Sequence, residues 1–480
     1  MRGFISDTVA AALAAGADYA DVRVVHTEEQ ALSFRTGNPE AVESSESFGF
    51  GVRVLVDGAW GFAASREVTK EESERVARLA VAIGKASASV AGPRIVLADV
   101  EPAVDSWVGP CEQDPFEVSA ADKLDILARA DETMRAVPQV SVTGAHMAFY
   151  RVHKHFGSSE GAYIEQRWVE SGCGIVAYAV GDGEVLSRSY PNSHGGQWEQ
   201  AGWESVLAAD LPGNAARVAD EAARLLKAKH CPSTTTDLII DGSQLALQVH
   251  ESIGHPTELD RVLGDEAAFA GTSFLSLDDL GSLRYASPIV SVTADATVPG
   301  SLGSFAYDDE GVPAQRDFLI TEGVLTGFLT SRASAVAIGR TSNGTMRADG
   351  WNRIPLVRMT TVSLEPGEGT LEDLIGDTKD GLYIETNHSW SIDDKRLNFQ
   401  FACEAGWLIE NGRLTEMVKV PNYTGITPEF WNSCDAVCGP EEWRVWGVAN
   451  CGKGEPMQVA HVAHGAAPAR FRGVQVGVAK

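Results

Sequence analysis

The feature that most constrains the fold is a repeated pattern of two β-rich runs joined by an Asp-Gly turn. Residues 48–65, FGFGVRVLVDGAWGFAAS, turn at Asp57-Gly58, and residues 174–190, GIVAYAVGDGEVLSRSY, turn at Asp182-Gly183. Asp-Gly favours the tight turn whose backbone matches the twist of two antiparallel strands. Both segments therefore predict β-hairpins, and the helical segments of the chain must pack on the sheet that these hairpins form.

Four segments of the N-terminal half predict helices. They lie at residues 1–25, where the helix runs into a strand, at residues 69–86, at residues 119–137, and from just after Pro212-Gly213 to near Lys229. Thr69 and Glu72 predict a capping box at the start of the second segment, and Ser119 predicts an N-cap at the start of the third. Hairpins and helices therefore alternate in this half of the chain.

The best candidate for a domain boundary is KHCPSTTTD, residues 229–237, where a charged helix end meets Pro and a polar run. We predict an N-terminal α/β domain at residues 1–230, which contributes to assembly and to a substrate cavity. We predict a C-terminal β-rich domain at residues 231–480. Within it, residues 318–329 and 407–418 each place Leu-Ile, a turn and Leu-Thr in the order of a hairpin. The predicted fold class is α+β.

Composition and charge argue against two classes of partner. The chain has 39 Lys and Arg against 66 Asp and Glu, a net charge of −27 that repels a phosphate backbone, so we expect no nucleic-acid binding. No uncharged apolar run reaches the length of about 18 residues that predicts a membrane span. The seven scattered cysteines are odd in number and favour a reducing compartment, so we expect a cytoplasmic protein.

The strongest chemical motif is HESIGH, in which His250 and Glu251 are followed by His255. Two histidines four apart on a helix can share a metal ion, but five apart they differ in direction by about 140°. Gly254 and Pro256 flank the second histidine, and we expect the helix to loosen or end there. A single widened π-type turn would align the two rings equally well.

The segment that carries this motif predicts a well-formed helix. Ser243 is a candidate N-cap, and Leu245, Val249 and Ile253 recur every fourth residue as a buried stripe. His250 and Glu251 then lie off that stripe and face a cleft. The alternative is a helix end with two hydrogen-bonded histidines and a solvated glutamate.

Two imidazoles leave a catalytic zinc ion short of a protein ligand, because such sites commonly have three. The candidates for the third ligand are Glu258, Asp260, His388, His461, His464 and the C-terminal cysteines. Cys451 is favoured, since a strand-like run leads to it and a Gly-rich turn follows, which would present a thiolate at a strand end.

Two other clusters receive less weight. His153 and His155 alternate along a predicted strand and so share a face, for which an exposed polar surface is favoured over a second metal site. Cys434 and Cys438 lack a matching second pair and are interpreted as ordinary thiols.

With these residues in place, the chain resembles the TldD/PmbA family of zinc metalloproteases, and specifically its TldD-type catalytic subunits. The segments that carry the resemblance are FGFGVRVLVDGAWGFA, FGSSEGAYIEQRW, HESIGHPTE, YDDEGVPAQRDFLITEGVLTGFLTS, FACEAGWLIENGRLTEMVK and NCGKGEP. One departure is Pro256-Thr257, where other members often carry Gly and an apolar residue.

The resemblance implies a site and partners. His250, His255 and Cys451 would bind Zn²⁺, and Glu251 would take the proton of a water that attacks a peptide bond of an unstructured peptide. The chain would form a homodimer, or a heterodimer with a motif-lacking TldE/PmbA-type subunit. Two alternatives stay open: a non-catalytic peptide-binding or assembly subunit with structural zinc, and a hydrolase of non-peptide amides.

Overall fold

The structure, a computed structural model, describes residues 1–90, 92–181, 183–193, 195–269, 271–454 and 456–477. The helices are α1 Arg2–Ala14, α2 Lys70–Ala88, α3 Ala120–Arg135, α4 Trp203–Ala209, α5 Leu211–Leu225, α6 Gly242–Val249, α7 Leu259–Leu263, α8 Leu371–Gly376 and α9 Thr427–Asn432. Short 3-10 turns lie at Pro115–Glu117, His255–Thr257, Leu277–Asp279 and Ser334–Ile338, and a π turn lies at His250–Gly254.

The strands of the first half are β1 Tyr19–Arg35, β2 Asn38–Val56, β3 Ala59–Ser65, β4 Val104–Val108, β5 Val140–Ser158, β6 Tyr163–Gly181, β7 Glu184–Tyr190, β8 Gln197–Glu199, β9 Lys229–His230 and β10 Thr234–Ile240. Those of the second half are β11 Val292–Asp295, β12 Arg316–Thr321, β13 Val324–Leu325, β14 Met346–Arg347, β15 Leu356–Val357, β16 Thr361–Leu364, β17 Asp380–Ile392, β18 Asn398–Glu410, β19 Leu414–Lys419, β20 Asn422–Ile426, β21 Cys434–Val437, β22 Arg444–Lys453, β23 Gln458–Ala466 and β24 Ala469–Val476.

The N-terminal sheet is built from unusually long strands. Its order is β3-β2-β1-β5-β6-β4, with β7 and β8 also paired to β6, and all pairs except β4–β6 are antiparallel. Helices α1 and α2 pack on it near residues 20–24, and α3 and α5 pack near residues 32–34, in two separate apolar clusters. The long strands therefore carry two small cores instead of one large core.

The C-terminal part contains two larger sheets around one continuous core. In the first, β17, β10, β24, β20 and β18 form a closed ring because β17 also pairs with β18. The second has the order β13-β12-β11-β16-β23-β22. Helix α6 follows β10 directly and contacts β17 of the first sheet and β23 of the second, so it lies between the two sheets. This α+β fold with a β-rich C-terminal part confirms the predicted fold class.

The predicted hairpins are confirmed. Strands β2 and β3 pair across a turn in which Asp57 has φ 50° and Gly58 has φ 80°. Strands β6 and β7 pair up to Gly181, and Asp182 of the predicted turn lies outside the described residues. Residues 318–329 and 407–418 both contain hairpins, whose turns have left-handed backbone at Glu322 and at Asn411.

The predicted helices are confirmed, and the largest change of bounds is in α5. Thr69 and Ser119 cap α2 and α3 as expected. The predicted capping box is incomplete, because the amide of Thr69 donates to the carbonyl of Glu67 and the side chain of Glu72 pairs with Arg75. Helix α5 begins at Leu211, before the predicted start, because the Asp210 side chain accepts the amide of Gly213 and Pro212 fits the first turn. It ends at Leu225, and Lys229 belongs to β9, which pairs with β19. The division of the chain at residues 230 and 231 stays a prediction.

Candidate metal centre

The HESIGH motif lies where α6 changes its hydrogen-bonding pattern. Helix α6 is α-helical to Val249, the π turn follows at His250–Gly254, and the 3-10 turn follows at His255–Thr257. Every residue of α6 is buried, so the predicted apolar stripe is one side of a helix with no exposed face. The N-cap is Asp241, whose side chain accepts the amide of Ser243, and the prediction that Ser243 itself caps the helix is wrong.

The widened turn brings the two histidine rings together. Their centroids are 4.8 Å apart, with the ring planes at 90°. The π turn adds one residue to the turn, which offsets the extra residue between the histidines. Of the two predicted solutions, a loosened helix end and a π-type turn, the π-type turn is confirmed.

The two flanking residues act differently from the prediction. His255 keeps helical backbone (φ −62°, ψ −44°), because Pro256 falls in the first turn of the 3-10 segment, where it needs no amide hydrogen. Gly254 is also helical, at φ −57° and ψ −62°. Glycine also leaves space there, since a Cβ atom would lie 2.1 Å from Sδ of the fully buried Met359, whose side chain would have to shift.

Cys451 reaches the same point from the other end of the chain. It lies on β22, opposite Ala460 of β23, and its Sγ is 3.8 Å from Nε2 of His255. Ligand atoms of His250, His255 and Cys451 all lie within 4.8 Å of one another, and the three residues are buried. The structure therefore brings together the three residues that the sequence singles out as metal ligands.

A second histidine orients His250. Nδ1 of His250 lies 2.7 Å from Nε2 of His464, and Nδ1 of His464 lies 2.9 Å from the carbonyl oxygen of Val362. The carbonyl can only accept, so His464 donates to it and in turn accepts the Nδ1 hydrogen of His250. In the neutral form of His250, Nε2 is then the nitrogen with the lone pair, and this is the form that binds a metal.

A carboxylate orients His255 in the same way. Nδ1 of His255 lies 2.9 Å from Oε2 of Glu258, which leaves Nε2 on the side of Cys451. Glu258 is itself fully buried between Arg261, whose Nε is 3.5 Å away, and Lys453, whose Nζ is 3.4 Å away. These cations offset the cost of burying the carboxylate.

Local charge keeps Cys451 in its thiolate form. Burial alone would raise the pKa of the Cys451 thiol, but the positive charges of His250 and Arg358 lower this pKa well below its usual value. Burial lowers the pKa of His255 and that of His464, so both rings are neutral at pH 7. Burial opposes a charge on His250, but the neighbouring Cys451 raises the pKa of this ring. A metal ion that binds at this point therefore displaces the proton that His250 and Cys451 share, because ligands bind metal as thiolate and neutral imidazole.

Glu251 lies next to the histidine pair, and other residues hold both of its oxygens. Oε1 accepts from Nε1 of Trp390 at 2.9 Å, and Oε2 accepts from Nη1 of Arg396 at 2.7 Å. Both partners come from the β17–β18 hairpin, and Trp390 is 43% exposed. The carboxylate is therefore held on both oxygens by a hairpin that itself reaches the surface at Trp390.

The other candidate ligands have other partners. Asp260 accepts from Nζ of Lys453 at 2.8 Å, and His461 pairs with Glu170 of the N-terminal sheet. His388 lies in the wall of a separate cavity of about 330 Å³. None of the seven cysteines, all of which lie in the described part, forms a disulfide, and Cys434 and Cys438 are buried thiols as predicted.

The orienting residues were not predicted in these roles. The sequence indicates His464 and Glu258 only as candidate ligands, and it gives no signal for Trp390 and Arg396. Trp390 and Arg396 are 139 and 145 residues from Glu251 along the chain. No local spacing connects residues so far apart, whereas the Glu258 contact at i+3 is one that helical periodicity could have indicated.

Three family models match the chain. The PmbA/TldA metallopeptidase domain 1 matches residues 20–84, the central domain matches residues 113–229 and the C-terminal domain matches residues 233–477. The chain belongs to the TldD/PmbA family of metallopeptidases. The suspected resemblance is thus confirmed.

Curated relatives of the TldD/PmbA family match along most of their length. A metalloprotease of Methanocaldococcus jannaschii is 31% identical over 91% of this chain and 92% of its own. A metalloprotease of Methanothermobacter thermautotrophicus is 29% identical over 96% of this chain and 95% of its own.

Solved structures of low identity share the fold. A candidate modulator of a DNA gyrase from Thermotoga maritima has a TM-score of 0.76 at 20% identity, over 99% of this chain and 100% of its own. TldE from Thermococcus kodakarensis has a TM-score of 0.74 at 16% identity, over 99% of this chain and 100% of its own. Among the described residues, no helix is both long and apolar enough to cross a membrane.

Proposed function

We propose that this TldD/PmbA-family chain is a zinc-dependent peptidase that hydrolyses peptide bonds of unstructured peptides, with His250, His255 and Cys451 as metal ligands and Glu251 as the general base. One observation carries the proposal: two imidazoles and a thiolate converge in a buried pocket beside an oriented carboxylate. The family membership supports a metallopeptidase, and the geometry supports the assignment of roles.

The donor set fits zinc. Two histidines and one cysteine leave one position of a tetrahedral ion for water, which is the composition of an open catalytic site. The outer nitrogens of both histidines are hydrogen-bonded, as those of zinc-binding histidines almost always are. When bound there, zinc would supply Lewis acidity toward water and toward a peptide carbonyl.

The chain's own residues account for the proton transfers. Glu251 accepts a proton from the attacking water and returns it to the leaving amine. Trp390 and Arg396 orient the carboxylate from both oxygens, so Glu251 needs little reorganisation to act. Because Trp390 is partly exposed, we propose that a peptide enters beside it and displaces one of these hydrogen bonds.

The burial of the site supports an extended substrate. His250 is 4% exposed, Glu251 6%, and His255 and Cys451 3% each. Side chains this deeply buried are out of reach of the rigid surface of a folded protein, so they favour a substrate that enters as a single extended strand. Backbone hydrogen bonding to a sheet edge, a common mode of peptide recognition, would bind such a strand with little sequence preference.

We also propose that the active unit is a dimer, either of this chain alone or with a motif-lacking subunit of the TldE/PmbA type. The support is the fold shared with TldE from Thermococcus kodakarensis. A size-exclusion mass of the purified chain, with and without such a subunit, distinguishes the two arrangements.

A second candidate function is a peptide-binding subunit with structural zinc. The observation in its favour is that both oxygens of Glu251 already have partners, so the carboxylate has a structural role without catalysis. The two candidate functions predict different results: the peptidase loses cleavage when Glu251 loses its charge, whereas the peptide-binding subunit has no cleavage to lose.

The experiment is Glu251→Gln, assayed for zinc content and for cleavage of an unfolded casein substrate. We expect full zinc content and a loss of cleavage of at least about a hundredfold, since general acid–base catalysis commonly contributes that much. The matched control is Glu170→Gln, because Glu170 is also buried and accepts from a tryptophan, Trp168, at 2.7 Å and from His461. Unchanged cleavage in Glu251→Gln would refute the peptidase mechanism.

A further inference from the structure

A second group of metal-binding side chains lies on the N-terminal sheet. Strands β5 and β6 pair antiparallel, with His155 opposite Glu165 and His153 opposite Arg167. Directly opposite residues of paired strands share a face, and so do alternate residues of one strand. The register therefore places two histidines, a carboxylate and a guanidinium on the same patch of sheet.

The donor atoms of this patch converge. Nε2 of His153 is 3.0 Å from Oε1 of Glu165, and Nδ1 of His155 is 3.8 Å from Oε2 of the same carboxylate. The two imidazole centroids are 4.3 Å apart, and ligand atoms of all three residues lie within 4.8 Å of one another. The predicted exposed polar face is only partly correct, because His155 is buried.

We propose that His153, His155 and Glu165 form a second metal site, for a divalent ion of the zinc type. Two imidazoles and one carboxylate are a donor set that zinc uses in proteins, and no thiolate is involved. First-row divalent ions that favour imidazole, such as nickel and copper, fit the same donors. The partial exposure of His153 and Glu165, 31% and 27% of their side chains, leaves a side open to water.

A positive group already occupies the position of the ion. Arg167 donates from Nε to Nε2 of His153 at 3.1 Å and from Nη2 to Oε1 of Glu165 at 2.6 Å. Both acceptors thus point their lone pairs at a common cation. Arg167 is 57% exposed, so its side chain can move into solvent and give this position to an ion that binds more tightly.

Binding would join two strands and stabilise the sheet around them. His153 and His155 belong to β5, while Glu165 belongs to β6, and the Tyr163 hydroxyl lies 3.2 Å from Nδ1 of His155. A ligand that binds only the folded chain stabilises it in proportion to the logarithm of its concentration over its Kd. Zinc should therefore raise the Tm through this site independently of the Cys451 site.

The experiment counts zinc ions per chain in the full-length protein. The protein is saturated with Zn²⁺, dialysed against metal-free buffer and analysed for zinc and protein. We expect two equivalents in the natural chain and one in His153→Ala and in Glu165→Gln. The control is His230→Ala, because His230 and Glu184 form an exposed histidine–carboxylate pair, with 3.4 Å between Nε2 and Oε1, that lies outside the proposed site. It should retain two equivalents.

Cobalt distinguishes this site from the Cys451 site. A cobalt ion bound by Cys451 has a thiolate-to-metal charge-transfer band, whereas one bound by two histidines and a carboxylate has none. If one equivalent of cobalt binds without that band, and His153→Ala abolishes its binding, the second site is supported even if the proposed peptidase site fails to bind metal. The second variant, Glu165→Gln, decides the matter if His153→Ala does not fold, as judged by circular dichroism.

Arg167→Ala tests the displacement of the guanidinium. Removing the competing cation should tighten zinc binding at this site by roughly fivefold, the equivalent of one exposed ion pair. Two equivalents retained in both His153→Ala and Glu165→Gln would overturn the proposal. Weaker zinc binding in Arg167→Ala would also overturn it. So would a natural chain that binds a single metal ion whose cobalt form shows the thiolate band.

Discussion

Replacing His464 with Phe should weaken metal binding although His464 is not proposed as a ligand. The ring is fully buried and connects Nδ1 of His250 to the carbonyl of Val362 through contacts of 2.7 and 2.9 Å. Without it, two buried polar groups lose their partners, each at a cost of about 1–3 kcal/mol. Loss of such an orienting contact typically weakens metal affinity by about 10- to 100-fold, or about 1.4–2.8 kcal/mol.

The assay is competition for zinc with a chromophoric chelator, together with urea unfolding of the chelated protein. His461→Phe is the matched control, because His461 lies on the same strand, β23, but pairs with Glu170 of the N-terminal sheet. Both variants should lose stability, and only His464→Phe should lose zinc affinity. His464→Gln should recover part of the affinity, since its amide can both accept and donate. Equal zinc affinity in His464→Phe and in the natural chain would refute the orienting role.

Three further predictions concern the surroundings of the two sites. Gly254→Ala should destabilise the fold by about 1–3 kcal/mol, because the added Cβ would lie 2.1 Å from Sδ of Met359, and Met359→Ala should recover part of the loss in urea unfolding. Arg396→Met should reduce kcat by about 10- to 100-fold with zinc content unchanged, since it removes a charged hydrogen bond to Glu251; an unchanged kcat would exclude a role in orienting that carboxylate. Burial and the neighbouring imidazole lower the pKa of His155 to about 4, so the unfolded chain binds a proton that the folded chain does not between pH 6.5 and 4. Stability of the chelated protein should therefore fall as pH falls through this window, and His155→Gln should flatten the dependence seen in thermal unfolding.

Local chemistry explains why the hairpins were predictable. A turn with left-handed backbone at two successive residues admits few residue types, and Asp57-Gly58 is one of the favoured pairs. Helix starts are similarly local, since Thr69 and Ser119 bond to amides three residues ahead. Ser243 shows the limit, because the carboxylate of Asp241, two residues earlier, accepts the amide of Ser243 and starts the helix before it.

The convergence of the candidate ligands was predictable in part. The HESIGH spacing posed a geometric problem that a π turn solves, and that solution follows from the number of residues per turn. Cys451 was selected from a strand-then-glycine pattern and from the family resemblance. The close contact that explains glycine at position 254 could not be predicted from the sequence, because it is made by Met359, which lies 105 positions further along and leaves no local pattern.

The residues around the ligands could not be derived from spacing at all. His464 is 214 residues from His250, and Arg396 is 145 residues from Glu251. Each contact depends on how the closed ring of strands and the six-stranded sheet enclose α6. Sequence periodicity predicts the elements of that arrangement, but it does not fix which element lies against which.

The separation of the candidate ligands along the chain affects when the centre can form. Cys451 follows His255 by 196 residues and belongs to β22, which is synthesised well after α6. A growing polypeptide on the ribosome therefore has both imidazoles long before it has the thiolate. Until β22 and β23 pair beside α6, a newly made chain lacks the complete set of proposed ligands, so the proposed activity would have to wait for this part of the C-terminal sheet to fold.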